Sequence, residues 1–516
     1  MTEPRGSLSA RVNRVSHRVT DGADGHRYWF LLCLSVLFFA TTALRARATP
    51  FWHDEIYTIL LSRLATVRDV WGAARDGADL MPPLNLLLTR VLEAPFGPGP
   101  ISSRLPAMLG FWTMSVVVFS LVRARSNVFV ACAAALLPWF TRAYRYSYEA
   151  RGYGTMLGLF ALLLWSWSEA AGGHRRRVWL PIFAAVCAAS LWNHYFAVVT
   201  FVPIAAGEIY RLARRRSADW PLWIAAVTGL AACAPLVALA RSASMQGATY
   251  WRHARWSDVG STYVFLLHDL WSLDRWVIVV LAAATALGLL IGRFRLTGFP
   301  AAGYEVIAGT VALCIPAMAV GLGRITGAFA PRYALPGVVS FAIAAPLALW
   351  WLSRKSPVLE AVLLAVLLIG VARPSIDVFR HPPAFHDPYA ERPILAEHVR
   401  MSPPVVVVGA VQFLELWYYA SPDNRSRLWY IADPAEARRY LGSDTTDVGY
   451  IKLARRVPLS VRTYEELEDQ ESFTLYDDGV GWLPAKLRDS SSALTLVDSG
   501  RERGARVWHA MKPTVR

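Results

Sequence analysis

The sequence predicts a polytopic α-helical membrane protein of about 11 transmembrane helices, followed by a small C-terminal α/β extracytoplasmic domain. Three observations predict it. Of 516 residues, 55% are apolar and 18% charged, more apolar surface than a soluble domain buries or a disordered chain tolerates. Apolar runs of near-spanning length recur through residues 28–373. Beyond residue 373 that pattern stops, and short strand-like runs alternate with amphipathic stretches.

The expected spans are 28–44, 105–122, 128–140, 153–171, 179–191, 194–210, 222–240, 276–291, 306–321, 333–352 and 358–372. The first is too long for a signal-peptide core and lacks a small-residue cleavage site, so it reads as an uncleaved span. The formal net charge of +15 divides unevenly. Residues 374–516 hold 18 Lys+Arg against 20 Asp+Glu, a net of −2, which leaves 35 and 18, a net of +17, in 1–373. The excess lies in the hydrophobic part, where a positive-inside bias explains it better than nucleic acid does. All five cysteines sit in apolar runs, so neither a disulfide framework nor a zinc spacing is indicated.

Sidedness turns on the stretch 179–210. Arg175-Arg176-Arg177 precedes it, and Arg211 with Arg214-Arg215-Arg216 follows. One straight pass would put two Arg clusters on opposite sides of the membrane. A hairpin turning at Trp192-Asn193-His194 keeps both inside. The N-terminal arm 1–27, Arg123/Arg125, Arg293/Arg295 and Arg354/Lys355 are then also inside. The large first loop 45–104, the segments 141–152, 241–275 and 323–332, and everything after 373 face outward. In the last part, strands are expected at 405–408, 428–431, 473–476, 494–497 and 506–509, and helices at 392–400, 412–419 and 434–440.

The outer segments carry the chemistry-bearing residues. The first loop begins Trp52-His53-Asp54-Glu55; two adjacent carboxylates there suit proton transfer, or simply an acidic first turn of a helix. The segment 141–152 holds Arg142, Arg145, Tyr148, Glu149 and Arg151. Three arginines outside oppose the positive-inside bias, so either an anionic ligand or first-loop acids such as Asp69, Asp76 or Asp79 balance them. The apex Asn193-His194-Tyr195 places a histidine where burial is costly unless it is paired or lines a wet cavity. Arg332, in Pro331-Arg332-Tyr333, sits at the outer start of a span, where interfacial snorkelling is the plain alternative. Arg104 precedes the second span. Together these residues outline a cavity at the outer leaflet, with carboxylates near its centre and guanidiniums around them. An Arg fork suits phosphate, and a polyprenyl phosphate is the simplest way to bring phosphate to that depth.

These pieces resemble the GT-C superfamily of integral-membrane glycosyltransferases, in particular its family 39-like (protein mannosyltransferase) and aminoarabinose-transferase-like branch. The resemblance rests on Trp52-His53-Asp54-Glu55, Met81-Pro82-Pro83-Leu84-Asn85, Arg104-Leu105-Pro106, Tyr148-Glu149-Ala150-Arg151-Gly152-Tyr153, Asn193-His194-Tyr195 and Pro331-Arg332-Tyr333-Ala334-Leu335-Pro336. It spans roughly residues 28–355, with all six pieces in order on one side. Two departures stand out. The family's usual His-Pro-Pro-Leu-Tyr is here Met81-Pro82-Pro83-Leu84-Asn85, and its common Arg-Pro-Tyr is Arg151-Gly152-Tyr153.

The resemblance implies an inverting transfer of a sugar from a polyprenyl-phosphate donor to a hydroxyl acceptor on the outer face of the cytoplasmic (inner) membrane. It makes Asp54 the general base, with Glu55 supporting it or orienting the acceptor. Arg151, His194, Arg332 and Tyr333 fall around the donor phosphate, with Arg104, Tyr148, Glu149, Tyr153, Asn193 and Tyr195 in support. It implies a glycan, glycolipid or protein acceptor and no nucleic acid. It makes no cofactor certain and leaves a divalent cation open. A transporter or flippase of a lipid-linked saccharide is the alternative reading. Transporters usually show paired repeats and midplane sites, whereas here no repeat is visible and the polar residues cluster in outer loops.

Overall fold

In lipid, a helix satisfies every backbone N–H and C=O from within its own segment, which is why long apolar runs become helices. The computed structural model of the chain describes residues 25–244, 249–269, 301–352, 357–401, 404–489 and 495–511. Each expected span within those residues is helical. Among the described residues, four helices are long and apolar enough to cross a membrane: Arg27–Ala48, Pro100–Arg123, Tyr195–Arg215 and Leu359–Arg380. Two bent pairs add a crossing each if taken as single spans: Trp220–Ala231 with Leu236–Ser244 (61°), and Gly303–Ala312 with Ile315–Thr326 (54°). Pro235 and Pro316 stand at the two breaks, where each removes a backbone donor from the ladder. Others, such as Val128–Phe140 and Pro336–Leu352, are shorter apolar helices. The expected span 276–291, the segments of Arg293/Arg295 and Arg354/Lys355, and residues 1–24 lie outside the described residues.

The helix Arg176–Asn193 ends at His194, whose backbone is extended (φ −160°), and a 3-10 turn Tyr195–Thr200 leads into Phe201–Arg215. Asp219 pairs with both Arg176 and Arg211. The two Arg clusters therefore flank one end of the fold, which a turn at 193–194 allows and a straight pass does not. The two arms pack on different partners, the first on Tyr153–Ala171 and Trp220–Ala231, the second on Gly303–Ala312.

Helices Pro100–Arg123 and Tyr153–Ala171 touch backbone to backbone through Gly110, Gly154 and Gly158. A Cβ at Gly110 would lie 2.4 Å from the Gly154 carbonyl oxygen, and one at Gly158 would lie 2.4 Å from that of Gly110. Such small-xxx-small contacts let membrane helices approach closely. This one fixes Arg104, near the start of the first helix, relative to Arg151, just before the second.

The C-terminal part forms a six-stranded sheet: β1 (Val405–Val407), β2 (Leu428–Ile431), β3 (Val461–Arg462), β4 (Ser472–Asp477), β5 (Thr495–Glu502) and β6 (Ala505–Met511), in the order β3-β2-β1-β4-β6-β5. β1 pairs in parallel with β2 and β4, while β6 runs antiparallel to β4 and β5. All three β1 valines are fully buried, as expected for a central parallel strand covered on both faces. The sheet shares an apolar core with the first loop, where Phe51, Ile56, Tyr57 and Ile59 pack with Leu395, Phe413, Trp417 and Tyr450.

Candidate active site

The helix His53–Ser62 opens the first loop, and its two N-terminal carboxylates have different partners. Glu55 is 1% exposed. Its carboxylate takes a bidentate pair from Arg104, Nε to Oε1 at 2.7 Å and Nη2 to Oε2 at 2.8 Å. It also accepts the N–H of Ala150 (2.6 Å) and, as a helix cap, that of Trp52 (3.3 Å). Arg104, fully buried, spends its remaining donors on the carbonyls of Ala46, Thr49 (2.9 Å) and Pro50 (3.2 Å). Together Glu55 and Arg104 staple the first loop to two helices and to the 148–153 segment.

Asp54 keeps a partly open carboxylate, 19% exposed. Its Oδ2 accepts from Arg332 Nη2 at 3.0 Å, and its Oδ1 lies 3.1 Å from His53 Nδ1. Arg332 is held in turn, since its Nε donates to the Tyr153 hydroxyl at 2.8 Å and its guanidinium lies over the Trp52 ring. Arg151 Nη1 reaches the Asp54 carbonyl (3.2 Å), Thr58 Oγ1 (3.1 Å) and Asp79 Oδ2 (3.1 Å). Burial works to raise the Asp54 pKa, but the His53 hydrogen bond and the charges of Arg151 and Arg332 outweigh it. The carboxyl is held well below the usual carboxylate range.

His194 is 2% exposed. Its Nδ1 accepts the Phe196 N–H at 3.1 Å, which leaves the ring proton on Nε2, a buried atom without a protein partner. With Nδ1 accepting and the proton on Nε2, the ring is neutral. Tyr333 packs edge-on against it and shares a 2.7 Å hydrogen bond with Tyr250. Asn193 Nδ2 donates to the Gly152 carbonyl at 2.8 Å. Glu149, buried, lies 3.8 Å from Arg145. The structure thus brings Asp54, Arg151, Tyr153, Asn193, His194, Arg332 and Tyr333 together. It does not bring Tyr148 there: that ring meets Tyr144 and lines a separate cleft with Arg45 and Arg373. Tyr195 packs instead beside the small apolar cluster of Ala74, Cys233 and Leu239.

Similarity in three dimensions follows. ArnT from Cupriavidus metallidurans bound to undecaprenyl phosphate superposes with a TM-score of 0.57 at 14% identity, over 94% of this chain and 98% of that one. ArnT in the apo state gives 0.56 at 14%, over 95% and 98%. This chain has the GT-C fold. An Archaeoglobus fulgidus oligosaccharyltransferase in complex with Zn and sulfate is similar over 87% of this chain and 68% of its own, at 13% identity and a TM-score of 0.49. No family model and no curated protein matches the sequence.

Within the GT-C fold several site neighbours escaped sequence reasoning. Asp79 is the partner of Arg151, and only the general idea of first-loop acids balancing outer arginines pointed to it. His53 touches Asp54, yet beside two carboxylates it carried no signal of its own. Thr58 lies on a helix with nothing to set it apart, Tyr250 lies in a long loop, and Asn85 was visible only as a departure from a motif, with no role attached. The C-terminal domain also reaches the site loop. Glu415 accepts the His53 N–H at 3.3 Å, Tyr419 accepts the Phe51 N–H at 2.6 Å, and the Tyr450 ring lies against His53. Among the described residues, no group of three or more His, Cys, Asp or Glu converges as a metal site.

Proposed function

We propose that this chain is an inverting glycosyltransferase of the cytoplasmic membrane. It moves a sugar from a polyprenyl-phosphate donor to a hydroxyl acceptor on the outer face. The reading takes eleven spans, the N-terminus inside, and the α/β domain outside on the first loop. The observation that supports it most is the Asp54–Arg332 contact at 3.0 Å, which joins a partly open base to a guanidinium 278 residues away in the chain. The GT-C fold shared with a protein solved bound to undecaprenyl phosphate is the second support.

In this mechanism, the acceptor hydroxyl attacks the anomeric carbon while Asp54 takes its proton. The bond from that carbon to the phosphate oxygen breaks, and polyprenyl phosphate leaves with the electron pair. Arg332 holds the donor phosphate in the ground state already and stays on it as charge develops there. Arg151 adds charge from behind, oriented by Asp79 and Thr58. Glu55 and Arg104 act as positioning residues, because protein donors occupy both Glu55 oxygens.

The test is direct. The purified chain, incubated with a panel of polyprenyl-phosphate sugars and a membrane glycolipid fraction, should release free polyprenyl phosphate and form a glycosylated product. Arg332→Ala should weaken donor binding more than it slows saturated turnover. If donor affinity is unchanged while turnover collapses, the phosphate assignment of Arg332 is wrong.

A further inference from the structure

Beside the Asp54–Arg332 contact, a narrow cleft lies between the first loop and the 193–194 turn. Its walls include Thr58, Asp79, Met81, Asn85, Gly152 and His194, and it has room for about one hydroxyl-sized group. Three polar atoms on these walls are buried without a partner: Asn85 Oδ1, Asn193 Oδ1 and His194 Nε2. Their residues are 7%, 1% and 2% exposed. Buried polar atoms are nearly always paired, so three unpaired ones on one cleft indicate a group that arrives with the substrate.

The chemistry of that group can be read from the three atoms. Asn193 Nδ2 is committed to the Gly152 carbonyl, which makes its Oδ1 the free acceptor. His194 Nδ1 is committed to the Phe196 N–H, which makes its Nε2–H the free donor. The cleft therefore offers amide oxygens and a neutral imidazole N–H, a set that matches a hydroxyl, which both donates and accepts. Phosphate, an acceptor only, would face two carbonyl oxygens. Arg151, the charge on this wall, is already taken by Asp79.

Position points to the donor's sugar. Tyr153 lines the cleft and its hydroxyl accepts from Arg332, so a sugar on a phosphate at Arg332 would lie next to the cleft. Met81, Asn85 and Gly152, where the sequence departs from the motifs it resembles, all line it. Gly152 has a local reason to be small: a Cβ there would come 3.0 Å from Asn193 Oδ1.

We infer that this cleft receives one hydroxyl group of the transferred sugar, and that Asn85, Asn193 and His194 set which sugar is moved. The inference rests on the transferase reading. Its test uses the purified full-length chain with polyprenyl-phosphate hexoses, pentoses and single-deoxy analogues, comparing wild type with Asn85→Leu and Asn193→Ala. Asn85→Leu is the cleaner variant, since Asn193 also holds the Gly152 carbonyl. Leaving a buried polar partner unmatched costs enough to lower kcat/KM by roughly 10- to 100-fold. On the best sugar, each variant should lose about that factor. Deleting one particular hydroxyl from the donor should cost wild type the same, and the variants less than about threefold more on that analogue. Equal losses on every donor, deoxy analogues included, would mean the cleft holds only water and would overturn the inference while leaving the transferase reading intact. A factor that vanishes on deoxygenating the acceptor instead would overturn the donor assignment. A wild type that turns over no donor would overturn both.

Discussion

Replacing Asp54 with Asn separates two effects of its carboxylate. It removes the proton acceptor, and it frees Arg332 from an ionic partner at 3.0 Å. Two unit charges at that distance attract by roughly 5.5 kcal/mol at an effective dielectric constant of about 20. Both side chains are about one-fifth exposed (20% and 19%), so solvent offsets most of that attraction. We expect about 1–1.4 kcal/mol to return as affinity of the freed guanidinium for a lipid phosphate, a five- to tenfold lower Kd. The chemical step should move the other way, since a positioned base is worth about 10²–10⁴ in rate. The assay pairs a binding titration of polyprenyl phosphate with initial rates at saturating donor, using protein whose melting temperature matches wild type. Turnover within about threefold of wild type would end the role of Asp54 as base. Weaker binding of polyprenyl phosphate would end the idea that Asp54 and the phosphate compete for Arg332.

Three further outcomes follow from the same geometry. Arg104→Met leaves the Glu55 carboxylate buried without its counter-charge, and thermal unfolding should show a loss of about 3–5 kcal/mol; a near-native melt would show that the staple is dispensable. Gly154→Val drives a side chain into the backbone of Pro100–Arg123, costing about 1–3 kcal/mol or more, and turnover should fall because Arg151 and Arg104 lose register; unchanged folding yield and activity would count against that contact. Burial first, then neighbouring Glu55, pushes the Glu149 carboxyl up to about 8, so between its ordinary value near 4.5 and 8 the folded chain keeps a proton that the unfolded chain has lost. Stability should therefore fall as pH rises through that window, by up to about 1.4 kcal/mol per unit. Glu149→Gln should remove the slope, so its melting temperature should gain on wild type from pH 5 to pH 8; a constant difference across that range would refute the shift.

What the sequence made legible follows from where its signals are strongest. Apolar runs flanked by arginines mark helices and their ends well, because lipid allows no other backbone solution. The turn at Asn193-His194 was inferred from charge alone, and Asp219 now joins Arg176 and Arg211 across it. In the C-terminal domain, β2 and β4 stood out as runs of apolar residues, whereas β3 is two residues long with a charged Arg462 and offers no period to detect. Helix Thr445–Ala454 was missed because Tyr450 and Leu453 are its main buried apolar residues, too few for a stripe. At the site, Asp54, Arg151, His194 and Arg332 were visible but not their pairings. Whether Arg151 faced an acid or a ligand depended on where Asp79 lay in three dimensions, and spacing in one chain does not report that.

The pairing of Asp54 with Glu55 shows why two adjacent carboxylates need not share a task. Neighbours on a helix point about 100° apart, so at the first turn of His53–Ser62 one stays partly open and the other is buried in the protein. The inward one, Glu55, takes a bidentate pair from Arg104, and the Ala150 and Trp52 N–H groups add to it on the same two oxygens. The outward one, Asp54, keeps one edge for Arg332 and one for His53. The first arrangement makes the second usable. Glu55 also accepts the Ala150 N–H, which sets the segment bearing Arg151 against the same turn that presents Asp54. A carboxylate paired with Arg332 and close to the charge of Arg151 is a weak base, and burial alone would have made it a stronger one. Arrival of a phosphate at Arg332 would draw that guanidinium away and raise the basicity of Asp54 only when a donor is in place. On this view the 3.0 Å ion pair is the resting state of a base that its own substrate switches on.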